Sequence, residues 1–181
     1  MNLTGIRQPS EMVFRHLGDT MLLLKVFPPG IRSLLDIGTG AGIPGLLVKI
    51  LMPELEVVLV DRIRKKISFL KNVIIRLGIQ KVFVQQGEVG RPGVPEIVPI
   101  GGFDIIVSRA VGDILSLCKM AIPYVSEHGT IIAMKGPRAR DEIARIWEKF
   151  KEHEINIEVK EENLPILGHK RIFILIKRVN F

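Results

Sequence analysis

The chain has 181 residues, of which 47% are hydrophobic and 25% charged, and these values are typical of one globular domain and exclude a disordered chain. Its single cysteine, Cys118, excludes an internal disulfide and a zinc site built from cysteines, so we expect a reducing, cytoplasmic setting. The net charge of +7, from 26 Lys and Arg against 19 Asp and Glu, favours a polyanionic partner such as nucleic acid.

Short apolar runs alternate with amphipathic stretches along the chain, which is typical of β-α-β units and a parallel sheet. We expect one domain over residues 1–181, with residues 1–29 as a helical lead-in that contains a helix over 11–27. Strands are predicted at 32–37, 55–60, 81–86, 103–108, 130–134, 155–159 and 171–176. Helices are predicted at 44–52, 64–77, 113–124 and 138–152. The pattern predicts an α/β, Rossmann-like fold, with a seven-stranded, mostly parallel sheet and helices on both faces. No apolar run is long enough to cross a membrane.

A glycine-rich turn joins the first predicted strand to the next helix. It reads Asp-Ile-Gly-Thr-Gly-Ala-Gly-Ile-Pro-Gly over residues 36–45. Glycine permits a tight turn and a close ligand, and a helix N-terminus presents N–H groups. The second strand leads to Asp61, whose carboxylate is placed to accept hydrogen bonds from two ribose hydroxyls. The layout predicts a site for a cofactor that contains a nucleoside.

Two cofactors are compatible with this turn. Gly40, Gly42 and Gly45 match G-x-G-x-x-G, which favours a nicotinamide-dependent oxidoreductase. Asp36 argues against that cofactor, because a carboxylate beside the turn repels a pyrophosphate. The same carboxylate favours S-adenosylmethionine, which has no phosphate and carries an ammonium and a sulfonium. We therefore favour S-adenosylmethionine, with Asp36 facing its amino end and Asp61 holding its ribose.

Several short motifs follow one another along the chain. They are Asn-Leu-Thr at 2–4, Arg15-His16 with Asp19, the turn at 36–45, Val60-Asp61 with Lys65 and Phe69-Leu70, Ser-Arg-Ala at 108–110 and Lys-Gly at 135–136. Together they resemble the glucose-inhibited division protein B family. Its members are bacterial methyltransferases for N7 of guanine 527 in 16S ribosomal RNA, with a class I methyltransferase fold that binds S-adenosylmethionine. The resemblance covers nearly the whole chain, although most of the helical segment that usually precedes Asn-Leu-Thr is expected to be missing.

The resemblance also implies which residues form the site. Gly38 and Ile43 are expected to line it, the segment at 87–89 to meet the adenine, and Arg109 to reach into the active pocket. The glycine-rich turn and the end of the second strand add further expected contacts. The full set of expected cofactor contacts is Asp36, Gly38, Thr39, Gly40, Gly42, Ile43, Asp61, Arg62, Gly87, Glu88, Val89 and Arg109. Basic side chains near the same edge are expected to hold the RNA backbone. They are Lys65, Lys66, Lys135, Arg138, Arg140, Lys170 and Arg171.

The implied reaction needs little from the protein's own acids and bases. Guanine N7 carries a lone pair and no proton, so its methylation requires no general base, and we expect neither a strictly required catalytic residue nor a metal. Positioning of donor and acceptor can supply up to roughly 7–11 kcal/mol. His16 and Asp19 lie at helical spacing, either as a surface pair or as part of the site. A methyltransferase for a small molecule or protein, and an RNA-binding protein without turnover, stay as alternatives.

Overall fold

A computed structural model describes residues 9–109, 112–136, 139–152, 155–164 and 170–178, with side chains for all of these except 9–12 and 146–152. The helices are α1 (Pro9–Lys25), α2 (Gly45–Leu51), α3 (Arg64–Leu77), α4 (Ile114–Ala121) and α5 (Ala139–Glu152). The strands are β1 (Ser33–Ile37), β2 (Glu56–Asp61), β3 (Val82–Gln86), β4 (Phe103–Ser108), β5 (Val125–Lys135), β6 (Ile155–Asn163) and β7 (Lys170–Arg178).

The seven strands form one sheet in the order β3-β2-β1-β4-β5-β7-β6. The strands β1 to β5 run parallel to one another, whereas β7 is antiparallel to both β5 and β6. The predicted seven-stranded, mostly parallel sheet is therefore confirmed. The chain leaves β1 in one direction towards β2 and later returns on its other side as β4. Ligands bind at the carboxyl ends of the strands where such an order reverses.

The central strands are buried on both faces, because alternate side chains enter two separate hydrophobic cores. One core contains Leu34, Leu59 and Val107 and is covered by α1, α2 and α3. The other contains Leu35 and Ile106 and is covered by α4 and α5. Helices therefore cover both faces of the sheet, as predicted.

The predicted ends of several elements differ from the observed ones. The strand β5 begins at Val125 rather than at 130, because the polar run Ser126–Gly129 hides its first half from a hydrophobicity pattern. The hairpin strands β6 and β7 extend to nine residues each. The end of β6 was missed because it is an edge strand whose charged residues, among them Glu161, alternate between half-buried and exposed positions. Within the described ranges, no helix is long and apolar enough to cross a membrane.

Candidate functional site

The strand register brings distant parts of the chain together at the carboxyl edge of the sheet. Ile37, the last residue of β1, lies opposite Val60 of β2 on one side and Ser108 of β4 on the other. The Ser108 hydroxyl donates to the Ile37 carbonyl at 3.1 Å. Gly38 and Arg109, the next residues of these two strands, therefore emerge side by side at the point where the strand order reverses.

The backbone N–H groups of the glycine-rich turn are used inside the protein. Gly38 and Thr39 donate to the Val60 carbonyl, Gly40 to Asp61, Gly42 and Ile43 to the Thr39 carbonyl, and Gly45 to Asp36, all at 2.9–3.1 Å. Gly38, Gly40 and Gly42 have φ of 71°, 62° and 90°, which favours glycine over other residues. Because these six amides are already satisfied, they form no cradle for a pyrophosphate.

Two of the glycines are required by packing. A Cβ on Gly42 would lie 2.8 Å from Leu70 Cδ2, and one on Gly45 would lie 2.5 Å from Leu59 Cδ2 and 2.7 Å from Asp36 Oδ2. The start of α2 can therefore rest directly on β2 and on α3. This close contact accounts for much of the G-x-G-x-x-G pattern without a dinucleotide.

Asp36 lies beneath the turn and is 1% exposed. Its Oδ2 accepts the Thr39 hydroxyl at 2.7 Å and the Gly45 amide at 2.9 Å. Its Oδ1 is buried and has no hydrogen-bond partner among the described residues. Burial raises the pKa of this carboxyl to about 6, although the bonds from Thr39 and Gly45 oppose the shift. A cation above the turn would favour the ionised form.

Asp61 lies at the end of β2 and faces the turn from the other side. Its Oδ1 accepts the Ile63 amide at 2.9 Å, and its Oδ2 accepts the Gly40 amide at 2.9 Å and Lys66 Nζ at 3.2 Å. A carboxylate offers about four lone-pair sites. Lys66 is a flexible side chain that a ligand can displace, so Asp61 can accept hydrogen bonds from a ribose.

A cleft of about 460 Å³ opens beside Asp61, within the usual size of a small-molecule site. The predicted cofactor contacts among its lining residues are Gly38, Asp61, Arg62, Gly87, Glu88 and Val89. The predicted contacts Asp36, Thr39, Gly40, Gly42 and Ile43 form or support the turn behind it. Ser116 and Met120 of α4 also line the cleft. These two residues could not be predicted from the sequence, because α4 shows only the pattern of a buried apolar helix.

A second, smaller pocket of about 250 Å³ lies at the same edge, beyond β4. Its lining is strongly basic and comes from α1, β4, β5 and β7: Arg15, His16, Asp19, Arg109, Met134, Lys135, Gly136 and Arg171. Arg109, predicted to reach into the active pocket, lies here rather than among the lining residues of the cleft.

The polar side chains of the basic pocket contact one another. Arg109 NH1 lies 2.8 Å from His16 Nδ1 and 3.8 Å from Asp19 Oδ2. Arg171 Nε donates to Asp19 Oδ1 at 2.6 Å. His16 and Asp19 are both buried, so their predicted spacing on one helix face belongs to this pocket and not to the surface. The i, i+3 spacing indicates that the two side chains share one helix face. It does not indicate what they contact, because Arg171 reaches Asp19 only when β7 lies beside β5.

The other predicted RNA-binding residues lie outside the basic pocket or have ion-pair partners. Lys135 pairs with Glu142 at 3.4 Å and donates to the Gly112 carbonyl at 2.6 Å, and Arg140 Nε donates to Glu161 at 2.6 Å. Lys65 on α3 and Lys170 at the start of β7 are exposed. Arg138 lies outside the described residues, as does the Asn-Leu-Thr motif.

The sequence matches the GidB family, described as rRNA small subunit methyltransferase G, over residues 1–172. A protein named ribosomal RNA small subunit methyltransferase G from Acinetobacter baumannii is 37% identical over 178 residues, which is 98% of this chain and 80% of that protein. A protein of the same name from Clostridium botulinum is 35% identical and covers 99% of this chain and 75% of its own length. The chain belongs to the GidB family.

Solved structures show the same fold. A SAM-dependent methyltransferase from Aquifex aeolicus has a TM-score of 0.65 at 16% identity, and covers 93% of each chain. Precorrin-6y C5,15-methyltransferase from Geobacter metallireducens has a TM-score of 0.66 at 15% identity, with 88% of this chain and 87% of that chain covered. The predicted class I methyltransferase fold is confirmed. Family and fold also decide between the two cofactors, and the chain is an S-adenosylmethionine-dependent methyltransferase.

Proposed function

We propose that the protein transfers a methyl group to N7 of a guanine, at the position numbered 527 in 16S ribosomal RNA of the small subunit. The observation that supports it is a basic pocket directly beside the cofactor cleft. Gly38, which follows β1, lines the cleft, and Arg109, which follows the neighbouring strand β4, lines the pocket. The names of the relatives supply the small-subunit RNA, and the resemblance noted in the sequence supplies the position.

The residues of the cleft suit S-adenosylmethionine. When bound, this cofactor supplies a methyl group on a positively charged sulfur. Asp61 would hold the ribose after Lys66 moves aside, and Glu88 and Val89 would lie against the adenine. Asp36, beneath the turn, would favour the cationic end through its negative charge.

The basic pocket would hold the acceptor base. The remaining N–H groups of Arg109 can donate to an oxygen of guanine or to a phosphate, because a guanidinium has five donors and no acceptor. None of these groups needs to remove a proton, because guanine N7 carries a free lone pair and no proton. The chain's contribution to rate is therefore orientation of the base and exclusion of water.

The RNA backbone would be held by cations around the pocket. Exposed Lys65 and Lys170 are free to reach phosphates, whereas Lys135, Arg140 and Arg171 would exchange part of their internal ion pairs for them. Arg138, between Lys135 and Arg140 in sequence, belongs to the same proposal. We propose that one domain, residues 1–181, performs both tasks in the reducing interior of the cell.

Transfer of a tritiated methyl group to purified small subunits tests this proposal. The subunits come from a strain that lacks the modification, and the labelled RNA is digested to nucleosides. We expect one 7-methylguanosine per subunit, located by cleavage at the modified base. Label in another nucleoside or at another position would contradict the assignment. Label only in the proteins of the subunit would favour the alternative methyltransferase for a protein.

A further inference from the structure

The position of the proton on His16 follows from its neighbour. His16 is 4% exposed, and its Nδ1 lies 2.8 Å from Arg109 NH1. A guanidinium only donates hydrogen bonds, so Nδ1 must hold the lone pair and the neutral ring must carry its proton on Nε2. Nε2 has no partner among the described residues. Among the described residues, the hydrogen-bonding role of this ring is therefore to accept a hydrogen bond from Arg109 at Nδ1.

Charged groups surround His16 from every element of the basic pocket. Arg15 and Asp19 lie on its own helix, Arg109 follows β4, Lys135 ends β5, and Arg171 is the second residue of β7. Desolvation by burial and the charges of Arg109 and Arg15 lower the pKa of His16, whereas Asp19 raises it. The imidazole is consequently neutral at neutral pH, as an acceptor must be.

Asp19 connects the two arginines of the pocket. Its Oδ1 accepts from Arg171 Nε at 2.6 Å, and its Oδ2 lies 3.8 Å from Arg109 NH1. The carboxylate is 6% exposed. One helix, α1, thus holds both guanidinium groups, which come from different strands and would otherwise repel each other.

We propose that His16 and Asp19 are positioning residues, which together hold the Arg109 guanidinium in the orientation that receives the acceptor base. Asp19 attracts the guanidinium, and the neutral His16 ring fixes its rotation through one directed hydrogen bond. The identity of the base rests on the proposed function, whereas the contacts that hold Arg109 do not depend on it.

Protonation of His16 has a defined effect in this arrangement. An imidazolium has no lone pair and cannot accept from Arg109, and it adds a positive charge beside three arginines and a lysine. Arg109 is then released from its position. The rate at which the enzyme methylates small subunits therefore decreases as the pH falls through the pKa of His16, which lies below its ordinary value of 6.5.

Kinetics of three variants of the full chain test the proposal. His16→Ala removes the acceptor, His16→Asn keeps an oxygen near the place of Nδ1 but cannot titrate, and His128→Ala removes an exposed histidine of β5 as a control. For His16→Ala we expect kcat/KM for small subunits to fall by about 10–100-fold, the value of a hydrogen bond to a charged group. The dissociation constant for S-adenosylmethionine should stay within about twofold. His16→Asn should recover most of the loss and abolish the decrease that the wild type shows as the pH falls below 6.5.

Two results would overturn the proposal. One is a His16→Ala enzyme as active as His128→Ala, and the other is an acidic decrease that persists unchanged in His16→Asn. Nitrogen NMR of the wild-type protein reports the tautomer of His16 without an activity assay. We expect Nδ1 to be unprotonated and Nε2 to be protonated at neutral pH. The opposite tautomer would refute the Arg109 contact. A wild-type protein that methylates no subunit RNA would refute the proposed function, and the NMR result would still decide the role of His16.

Discussion

The cofactor cleft and the basic pocket lie side by side at one edge of the sheet but are built in different ways. The turn of the cleft is shaped by hydrogen bonds that its backbone amides donate to carbonyls and to two carboxylates within residues 36–61. The pocket is assembled from side chains of four elements, and its ion pairs join residues as far apart as Asp19 and Arg171, 152 positions along the chain. The turn of the cleft is fixed by contacts within one β-α-β segment, whereas the basic pocket depends on tertiary structure throughout.

This difference has a physical consequence. A turn whose amides are satisfied internally keeps its shape whether or not the cofactor is present. The arginines of the pocket depend on one carboxylate and one imidazole for their orientation, so their position responds to charge and pH. We therefore expect variants of the cleft to change cofactor affinity without changing RNA affinity, and variants of the pocket to change RNA binding and transfer without changing cofactor affinity.

The largest effect is expected in the cleft. Asp61→Ala removes the proposed ribose contacts, and each hydrogen bond to a charged group is worth about 1.5–3 kcal/mol. Affinity for S-adenosylmethionine should fall by roughly 100-fold or more in calorimetry. RNA affinity, measured by filter binding, should not change. Because Asp61 also accepts from Gly40 and Ile63, Asp61→Asn and a thermal melt serve as controls. Unchanged cofactor affinity would refute the placement of the ribose.

The matching variant of the pocket is Arg171→Ala. It removes a cation that pairs with Asp19 and is proposed to meet RNA. We expect kcat/KM for small subunits to fall by about 10-fold and the salt dependence of RNA binding to become less steep by about one charge. Affinity for S-adenosylmethionine should be that of the wild type. The exposed Arg178→Ala, at the other end of β7, is the control. A loss of cofactor affinity in Arg171→Ala would abolish the proposed separation of tasks.

A smaller effect is expected from the pH dependence of cofactor binding. The pKa of Asp36 is raised from 3.8 to about 6, so the free protein holds this proton more tightly than the unfolded chain does. The contribution of Asp36 to stability is therefore present below its unfolded pKa and is lost as the pH rises through about 6. A cationic ligand favours the ionised form, so affinity for S-adenosylmethionine should increase several-fold as the pH rises through about 6. Calorimetry across this range should show the increase in the wild type and not in Asp36→Asn. An identical profile for both would contradict the prediction.

The smallest effect is expected at Lys66, which contacts Asp61. Lys66 occupies one of its lone pairs at 3.2 Å and would compete with the ribose. Lys66→Met should therefore bind S-adenosylmethionine about two- to fivefold more tightly, because displacing one partly exposed lysine from its ion pair costs only about 0–1 kcal/mol. Lys65→Met, the exposed neighbour, is the matched control and should bind as the wild type does. Weaker binding by Lys66→Met would mean that the lysine contacts the cofactor instead.

The same difference explains what could be predicted from the sequence. The turn and Asp61 are short-range features, so the cofactor type followed from their order along the chain. The alternation of short apolar runs with amphipathic stretches is also visible along the chain, and it predicted the fold class. The contacts of Asp19 could not be predicted, because they require β7 to pair with β5 in the antiparallel direction. The contribution of Ser116 to the cleft was missed because only the packing of α4 reveals it.

A crystal structure of the protein with S-adenosylhomocysteine and guanosine monophosphate tests the separation of the two sites most directly. We predict that the ribose of S-adenosylhomocysteine is bound by Asp61, with the adenine against Val89. The guanine should occupy the basic pocket against Arg109, with N7 turned towards the cofactor's sulfur. S-adenosylhomocysteine bound away from Gly38 and Asp61, or guanine bound away from Arg109, would contradict this assignment of the two sites.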